Sequence, residues 1–421
     1  MELFEHQKQV LEQTRGLNRV AYYLDMGLGK TFVGSEKMME LGASVNLVIC
    51  QKSKVDDWFE HFKKFYSLPV YDLTNKGDFE RFFEMTELVH GTVGVINYEL
   101  AFRRPELLQL HDFTLMLDES SLIQNDKAKR SKFILKMNPS NVILLSGTPS
   151  SGKYENLWTQ IHLLGWTIKK DTYDKQYINW KKIDVGGFIH KIVDKDDPYK
   201  NVERLKMKMR EHGAVFMKTE ECFDLPEQTF VPITVKSTKE YRKFKKDSIV
   251  TVGEIELVGD TTLTKMLYER QLCGQYSKEK LQAFMDLVES TQDRLIVFYN
   301  FNEELYQLKK IAEELERPVS EVNGHMKDLD AYDQEDNSIT LIQYQSGAMG
   351  LNLQKANKIV YFSPPLSSEL YEQSKKRTHR IGQEQPCFYY NLTVKNSIEE
   401  RIYDTLKLRC DYTEKLYEKD E

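Results

Sequence analysis

The sequence has no long apolar run, no paired cysteines and no excess of positive charge. None of its apolar stretches approaches the roughly 18–20 residues that span a membrane. The acidic start, Met1–Glu5, lacks the basic and apolar regions of a secretory signal. Its five cysteines are scattered without a Cys-x-x-Cys pair, which argues against a zinc site or a disulfide framework and for a reducing compartment. We therefore expect a cytoplasmic protein with no membrane partner.

The charge balance neither indicates nor excludes nucleic acid as a partner. The 65 acidic residues outnumber the 59 basic ones and give a formal net charge of −6. Phosphates bind to local basic grooves, so the bulk charge does not decide the matter. The 421 residues, 40% of them hydrophobic and 29% charged, are enough for two domains of ordinary size.

Short apolar runs that predict buried strands alternate with amphipathic stretches in two parts of the chain. Those of the first part are 20–24, 46–50, 92–96, 113–117 and 142–145, and those of the second are 294–298, 339–343, 358–362 and 388–392. Stretches with helical spacing separate them, as at Val55–Phe65 and Glu303–Glu316. Repeated strand–helix alternation predicts an α/β fold with an open parallel sheet in each part.

These patterns predict two tandem lobes, residues 1–225 and 226–421, each a parallel sheet flanked by helices. We place the boundary in the extended stretch Leu225–Pro232, where two prolines discourage helix. Mostly helical, lysine-rich sequence at about 151–225 and 235–290 predicts a short helical insertion in each lobe.

The segment Asp25-Met26-Gly27-Leu28-Gly29-Lys30-Thr31 has the features of a phosphate-binding loop and follows the predicted strand 20–24. Its glycines let the backbone turn tightly, so that successive N–H groups point at one anion. Lys30 would then reach the β- and γ-phosphates, and Thr31 would offer its hydroxyl to Mg²⁺ where a helix begins. The general pattern has glycine six residues before the lysine, whereas this chain has Leu24 there.

A pair of acids follows another predicted strand, in the segment Asp118-Glu119-Ser120-Ser121. Carboxylates at the C-terminal edge of a strand lie where α/β sheets bind ligands. Asp118 can hold the Mg²⁺ that Thr31 also contacts, and Glu119 can polarise the water that attacks a γ-phosphate. The segment Ser146-Gly147-Thr148-Pro149 also ends a predicted strand. It either senses the phosphate site or is an ordinary strand-to-loop turn, and the sequence leaves both interpretations open.

The segment Gln373-Ser374-Lys375-Lys376-Arg377-Thr378-His379-Arg380 predicts the start of a helix. On such a helix Gln373, Arg377 and Arg380 have the spacing i, i+4, i+7 and share one face. Two arginines aimed at one point suit a transition state whose charge is spread over phosphoryl oxygens, and such a residue is worth about 10³–10⁵ in rate. The alternative is a basic helix face against solvent or DNA.

Together these segments resemble the motifs of superfamily-two helicases, and specifically of the Swi/Snf-type DNA translocases. The most diagnostic piece is His379-Arg380-Ile381-Gly382-Gln383, which is close to motif six of that family. The phosphate loop resembles motif one, although the family has Asp-Glu-Met-Gly where this chain has Leu24-Asp25-Met26-Gly27. The acid pair resembles motif two, which the family ends in Ala-His or Gly-His. Ser120 and Ser121 stand there instead, which puts the coupling role of that histidine in doubt.

The resemblance covers almost the whole chain and implies roles for further residues. Gln7 stands where the family reads adenine, and Gln373 is assigned with it to nucleotide binding. Segments similar to motifs one-a, one-b and five imply DNA contacts by the residues Lys52, Ser53, Asn97, Ser346 and Asn352. Spacer signatures typical of the Swi/Snf type stand at Leu157-Trp158, Leu225-Pro226 and Arg270-Gln271-Leu272-Cys273.

The resemblance implies two RecA-like lobes with ATP and Mg²⁺ in the cleft between them. It also implies movement along double-stranded DNA through sequence-tolerant phosphate contacts. The short insertions are typical of a minimal motor from bacteria or phages, expected to act as a monomer in the cytoplasm of a bacterial or phage-infected cell, with any recruiting protein unknown. One alternative is a strand-separating DNA or RNA helicase of the same superfamily, acting in replication or recombination. The other is a degenerate binding module, which the presence of Lys30, Glu119 and the two arginines disfavours.

Overall fold

The computed structural model describes residues 2–86, 90–347 and 351–418. These residues form two compact units: residues 2–222 together with 411–418 make unit 1, and residues 223–410 make unit 2. Within the described residues, no helix is both long enough and apolar enough to cross a membrane.

The predicted division of the chain needs one correction, because residues 411–418 belong to unit 1 and not to the second lobe. The Tyr154 hydroxyl donates to the carbonyl of Tyr412 at 2.7 Å, and the Tyr417 hydroxyl donates to the carbonyl of Gly147 at 2.7 Å. Nothing in the local sequence marks this change of unit, since one uninterrupted helix runs through it.

The core of unit 1 is a parallel sheet. The strands of this unit are β1 Arg19–Leu24, β2 Val45–Cys50, β3 Val70–Asp72, β4 Thr92–Asn97, β5 Phe113–Asp118, β6 Asn141–Leu145, β7 Trp180–Val185, β8 Phe188–Val193 and β9 Ala214–Met217. Seven of them form one sheet in the order β3-β4-β2-β5-β6-β1-β9, with every neighbouring pair parallel. Because β1, β5 and β6 are neighbours, the loops at their carboxyl ends meet at one edge of the sheet.

Helices of unit 1 pack on this sheet. They are α1 Glu5–Gln13, α2 Lys30–Leu41, α3 Val55–Tyr66, α4 Lys76–Thr86, α5 Tyr98–Ala101, α6 Lys129–Ile134, α7 Trp158–Leu163, α8 Lys170–Tyr177 and α9 Val202–Glu211. The amphipathic pattern of α3 is typical of them, since Trp58 and Phe62 are buried one turn apart on its inner face. Covered on both faces, β2 is buried along its whole length, as expected for a parallel strand.

The predicted helical insertion at 151–225 is only partly helical. It contains α7, α8 and α9, but β7 and β8 form an antiparallel hairpin and β9 joins the main sheet beside β1. Gly186 and Gly187 have φ angles of 62° and 84°, which the two-residue turn of such a hairpin requires. The Gly186-Gly187 pair is a turn signal in the sequence, and the prediction of a helical insertion did not take it into account.

Unit 2 is built on a second, mainly parallel sheet. The strands of the whole unit are β10 Gln228–Val235, β11 Ile249–Val252, β12 Ile255–Val258, β13 Leu295–Tyr299, β14 Val319–Val322, β15 Lys327–Asp328, β16 Ile339–Gln343, β17 Lys358–Tyr361 and β18 Cys387–Val394. All of them except β11 and β12 belong to this sheet. The sheet order is β10-β18-β17-β13-β16-β14-β15, and β15 alone is antiparallel to its neighbour. The two sheets confirm the predicted α/β fold with two lobes.

The helices of unit 2 are α10 Lys239–Asp247, α11 Thr262–Cys273, α12 Lys278–Glu289, α13 Asn302–Glu314, α14 Asp330–Gln334, α15 Tyr344–Gly347, α16 Ser368–Lys375 and α17 Ile398–Tyr417. The predicted helical insertion at 235–290 holds α10, α11 and α12, and in addition the small hairpin β11–β12. That hairpin turns at Gly253, where φ is 61°.

The stretch predicted as an extended boundary is mostly strand. The units divide between Cys222 and Phe223, and β10 begins at Gln228 and pairs along its whole length with β18. Pro232 is tolerated within β10 because the strand lies at the edge of the sheet, where one side of its backbone needs no partner strand.

Candidate nucleotide site and nucleic-acid interface

The phosphate loop joins β1 to α2. Gly27 and Gly29 have φ angles of 89° and 73°, in the left-handed region that glycine adopts without steric cost. α2 begins at Lys30, directly after the loop. The first N–H groups of the helix and the positive end of its dipole are therefore available to an anion at this point.

Leucine can stand six residues before Lys30 because that position is still part of β1. Leu24 is fully buried and pairs with Met217 of β9. The turn starts only at Asp25, whose carboxylate accepts hydrogen bonds from the backbone N–H of Met26 at 2.9 Å and from the hydroxyl of Thr219 at 3.0 Å. The Asp25 side chain thus fixes the start of the loop without a third glycine.

Two side chains of α1 pack against the loop. Gln7 donates from Nε2 to the carbonyl of Leu28 at 3.1 Å, and Nε2 of His6 lies 3.1 Å from the same oxygen. A Cβ atom on Gly29 would lie 2.2 Å from Gln7 Nε2, so the close approach of Gln7 also requires glycine there. The structure thus places the residue assigned to adenine beside the phosphate loop.

Lys30 folds back over the loop that precedes it. Its Nζ donates to the carbonyls of Leu24 at 2.9 Å and Asp25 at 3.3 Å. A Cβ atom on Gly147 would lie 3.5 Å from this Nζ. The lysine therefore brings the phosphate loop against the Ser146–Pro149 segment.

Asp118 is the last residue of β5, and its side chain is held in place by an aromatic donor. The indole Nε1 of Trp58 donates to Oδ2 of Asp118 at 2.8 Å, and the Tyr98 hydroxyl donates to the Asp118 carbonyl at 2.9 Å. Burial raises the pKa of Asp118, while the Trp58 hydrogen bond and the nearby charge of Lys30 act in the opposite direction. A metal cation placed here would favour the ionised carboxylate.

Glu119 has a strained backbone. Its φ and ψ angles are 52° and 61°, a left-handed conformation that costs a residue with a side chain about 1–2 kcal/mol. Its Oε2 accepts a hydrogen bond from Ser146 Oγ at 3.3 Å, and the same Oγ accepts one from the Thr148 N–H at 3.2 Å. The Ser146–Pro149 segment is therefore in direct contact with the acid pair.

Gln160 of α7, which our sequence analysis did not single out, lies at the centre of this region. Its Oε1 accepts hydrogen bonds from the hydroxyls of Ser120 at 2.7 Å and Tyr23 at 3.1 Å, and its Nε2 donates to the Pro149 carbonyl at 2.7 Å. Gln160 is fully buried. The one signal for Gln160 in the sequence is an uncharged amide within the stretch Trp158–Leu163, which forms a short and largely buried helix.

The oxygen donors at this edge of the sheet fit a magnesium ion that is bound together with a nucleotide. Mg²⁺ is commonly held by one or two carboxylates plus substrate phosphates, and Asp118 and Thr31 supply a carboxylate and a hydroxyl. Within the described ranges no cluster of three or more His, Cys, Asp or Glu side chains could hold a metal by itself. An ion at Asp118 would therefore need the phosphates of the nucleotide to complete its ligands.

Two of the residues assigned to DNA lie together in unit 1. Lys52 and Asn97, which follow or end the strands β2 and β4, line one cleft of about 430 Å³, and Ser53 is exposed in the same turn as Lys52. The Asn97 amide donates to the Glu99 carboxylate at 3.1 Å. The charged residues that line the cleft are of both signs: Lys52, Asp56, Asp72, Glu99 and Arg103. This cleft is not the uniformly basic groove that phosphate binding favours.

The predicted helix face in unit 2 is wrong. The helix α16 ends at Lys375, so Gln373 lies in its last turn, while Arg377 and Arg380 follow the helix. The segment is thus the end of a helix and not its start, and the spacing i, i+4, i+7 does not place the three side chains on one helical surface.

Two hydroxyl side chains bond to backbone carbonyls near the end of α16. Ser374 Oγ donates to the carbonyl of Tyr371 at 2.6 Å, and Thr378 Oγ1 donates to the carbonyl of Lys375 at 3.4 Å. The Lys375 carbonyl also accepts the His379 N–H at 3.3 Å, so the chain continues beyond α16 in hydrogen-bonded turns.

The structure brings the segments that resemble motifs five and six together within unit 2. Arg380 Nη1 donates to Oδ1 of Asn352, and the carbonyl of the buried Arg377 accepts a hydrogen bond from the Leu353 N–H at 3.2 Å. Burial lowers the pKa of Arg380. The side chain of Ser346, also assigned to DNA, lies outside the described part of the chain.

Comparison with protein families agrees with these motifs. Residues 22–278 match the SNF2-related domain, and residues 279–382 match the helicase conserved C-terminal domain. The first match alone covers more than half of the chain.

Several proteins are similar to this chain at low identity. A SWI/SNF-related matrix-associated actin-dependent regulator of chromatin subfamily A member 1 of Mus musculus is 23% identical over 92% of this chain and 40% of its own length. The putative ATP-dependent helicase/translocase YwqA of Bacillus subtilis is 23% identical over 90% of this chain and 44% of its own length. The chain therefore spans less than half the length of these two relatives.

A viral protein and a solved structure match over nearly their full lengths. A probable global transactivator of Orgyia pseudotsugata multicapsid polyhedrosis virus is 21% identical over 99% of this chain and 92% of its own length. The SWI2/SNF2 ATPase core of Sulfolobus solfataricus in complex with dsDNA is 20% identical, with a TM-score of 0.46, over 98% of this chain and 92% of that chain. The domain matches confirm the resemblance read from the motifs: the chain belongs to the SNF2-related family of helicase-type ATPases.

Proposed function

We propose that this chain is a DNA-dependent ATPase that moves along double-stranded DNA and remodels DNA or DNA–protein complexes. The observation that carries the proposal is the meeting of three loops at the carboxyl ends of β1, β5 and β6. There Lys30 lies beside Gly147, and Ser146 donates to Glu119. These contacts support the roles that we propose for the three loops: phosphate binding by Lys30, catalysis by Glu119 and sensing by the Ser146–Pro149 segment.

Each residue of this site has a distinct task in hydrolysis. The loop Asp25–Thr31 binds the phosphates through its N–H groups and Lys30. A bound Mg²⁺ would supply positive charge beside the phosphates. Asp118 and Thr31 would hold that ion. Glu119 orients the attacking water, and Gln7 contacts the adenine, as the resemblance implies.

The arginines of unit 2 would act on the transition state. Arg377 and Arg380 would stabilise charge on the phosphoryl oxygens while the γ-phosphate is transferred, and Gln373 would contact the nucleotide. The proposal requires that these side chains reach the nucleotide during turnover, so that ATP binding and hydrolysis change the conformation of the protein.

Double-stranded DNA is the proposed track. The SNF2-related domain match supports it, as do the family-type spacers at Leu157-Trp158 and Arg270–Cys273. The putative ATP-dependent helicase/translocase YwqA is similar over most of this chain. Contacts to DNA are proposed at Lys52, Ser53, Asn97, Ser346 and Asn352. Such contacts go to phosphates, so binding should be sequence-tolerant and weaken with salt.

The decisive experiment compares ATPase rates with blunt duplex DNA, single-stranded DNA and RNA, and tests strand release from a forked substrate. We expect duplex DNA to stimulate hydrolysis most, and the protein to displace a third strand or a bound protein without unwinding a plain duplex. ATP-dependent release of a labelled strand from the fork, with weak stimulation by blunt duplex, would instead show a strand-separating helicase.

A further inference from the structure

We infer that Gln160 is a positioning residue for ATP hydrolysis, which holds Glu119 through Ser120 and ties it to the Ser146–Pro149 segment through Pro149. The inference rests on the proposed ATPase function and assigns a role to a side chain that would not itself touch the nucleotide.

The backbone of Glu119 is strained. A residue with a side chain stays in the left-handed region only when its surroundings hold it there. Ser120, the next residue, is fully buried, and its hydroxyl donates to Gln160 Oε1 at 2.7 Å. This bond fixes the chain immediately after the strained residue. Without it, the peptide can relax and move the Glu119 carboxylate.

Hydrogen bonds join the loop of Glu119 and Ser120 to the Ser146–Pro149 segment both directly and through Gln160. The direct bridge, from Ser146 Oγ to Glu119 Oε2, is 3.3 Å long, which is at the weak end for a hydroxyl donor. The indirect bridge runs from Ser120 through the Gln160 amide to the Pro149 carbonyl, with two distances of 2.7 Å. Gln124 Nε2 also donates to the Pro149 carbonyl, at 3.4 Å. The shortest hydrogen bonds between the two loops pass through Gln160, so we expect this bridge to contribute most to their relative position.

The side-chain amide of Gln160 lies in an apolar core. Gln160 is fully buried, and a buried polar group is unfavourable unless its hydrogen bonds are made. Here both ends of the amide have partners, from Ser120 and Tyr23 on one side and from Pro149 on the other. A fully satisfied buried network of this kind specifies one arrangement of the groups that it joins.

The hydrogen bonds of Gln160 also involve the residue that follows the two acids, which is Ser120 in this chain. In this chain the hydroxyl of Ser120 makes the link to Gln160, and we assign to that link the coupling between the acid loop and the Ser146–Pro149 segment.

The test compares a variant that removes the hydrogen bond from Ser120 to Gln160 Oε1 with a matched control that removes the hydrogen bond from Tyr23 to the same oxygen. Ser120→Ala removes the donor on the side of Glu119, and Tyr23→Phe removes the other donor to Gln160 Oε1. Both delete one buried hydroxyl, so similar losses of thermal stability are expected. Gln160→Met removes the whole relay with an unbranched side chain and serves as a second variant if it folds.

We expect Ser120→Ala to lower kcat by about ten- to a hundredfold, as a displaced catalytic group does. Its KM and its affinity for a fluorescent ATP analogue should stay within about twofold of the wild type, because the phosphate loop is untouched. Tyr23→Phe should keep kcat within about twofold of the wild type. Equal losses of kcat in Ser120→Ala and Tyr23→Phe, or a wild-type kcat in Ser120→Ala, would overturn the inference.

Measuring kcat with and without duplex DNA separates this inference from the proposed function. If DNA does not stimulate the wild type, the DNA-translocase proposal fails, but the basal rates of the two variants still decide the role of Gln160. If DNA does stimulate the wild type, Ser120→Ala should lose rate under both conditions while Tyr23→Phe retains the stimulation.

Discussion

The indole nitrogen of Trp58 donates a hydrogen bond to the Asp118 carboxylate at 2.8 Å, across 60 residues of sequence. Trp58 lies on α3, which follows the turn of Lys52 and Ser53, two residues that we assign to DNA. Asp118 is the carboxylate proposed for Mg²⁺. A partner that orients a metal-binding carboxylate in this way typically changes metal affinity when it is removed.

Trp58→Phe should weaken Mg²⁺ binding at the nucleotide site. The substitution keeps an aromatic ring to stack on Phe62 but deletes the donor to Asp118. We expect the Mg²⁺ concentration for half-maximal binding of a fluorescent ADP analogue to rise about tenfold. Trp158→Phe is the matched control, because its indole donates only to a backbone carbonyl, that of Ile168, at 2.9 Å. An unchanged Mg²⁺ dependence in Trp58→Phe would make Trp58 a packing residue only.

Lys30→Ala and Glu119→Gln should fail at different steps. In the proposed mechanism the lysine contacts the phosphates of bound ATP, so its loss should abolish nucleotide binding. The glutamate is proposed to act on the attacking water, so Glu119→Gln should keep ATP bound and stop turnover. Equilibrium binding of a labelled nucleotide, measured beside the hydrolysis rate, distinguishes the two variants. An equal loss of ATP affinity in both would contradict this division of roles.

Arg377→Ala and Arg380→Ala should each lower kcat far more than they weaken ATP binding, because an arginine that meets the developing charge contributes about 10³–10⁵ in rate. Asn352→Ala is a control for Arg380, since it removes the partner of that guanidinium and leaves the arginine in place. Near-normal DNA-stimulated turnover in either arginine variant would reassign that residue to DNA binding or to packing.

A buried ion pair should make unit 2 sensitive to single substitutions. Lys280 Nζ lies 2.6 Å from Glu399 Oε1, with side-chain exposures of 0% and 1%. Lys280→Met leaves the Glu399 carboxylate buried without its cation and should lower the free energy of unfolding by about 3–5 kcal/mol. The double variant Lys280→Met/Glu399→Gln should lose less than the single variant, because no uncompensated charge remains. Urea unfolding of the wild type, Lys280→Met and the double variant measures this difference, and a double variant that loses as much stability as Lys280→Met would argue against a coupled pair.

Most inner strands of the two sheets were predictable because each is a short run of apolar residues, whereas β3, β9, β14 and β15 were missed because they are short. Ile339–Gln343, for example, is a strand with the predicted bounds. The hairpins at Gly186–Gly187 and Gly253 were missed, since lysine-rich flanks suggested helix more strongly than the glycines suggested a turn. The end of α16 at Lys375 was missed because the spacing of Gln373, Arg377 and Arg380 fits a helix but does not show where a helix ends.

The candidate site was predictable where its residues are close in sequence. The phosphate loop and the acid pair each occupy one short segment, and the motifs name them directly. Trp58 and Gln160 were not predictable in their roles, because they meet Asp118 and Ser120 across 60 and 40 residues. Such contacts depend on which strands become neighbours in the sheet, and no local pattern encodes that.

The last described turns of α17 belong to unit 1, and this has a consequence for synthesis of the chain. The contacts of Tyr412 and Tyr417 with Tyr154 and Gly147 cannot form until all of unit 2 has left the ribosome. Contacts between residues so far apart in sequence are slow to form, and domains made first commonly begin to fold first. We therefore expect unit 1 to begin folding before unit 2 is made and to complete its packing only after translation of unit 2 has ended.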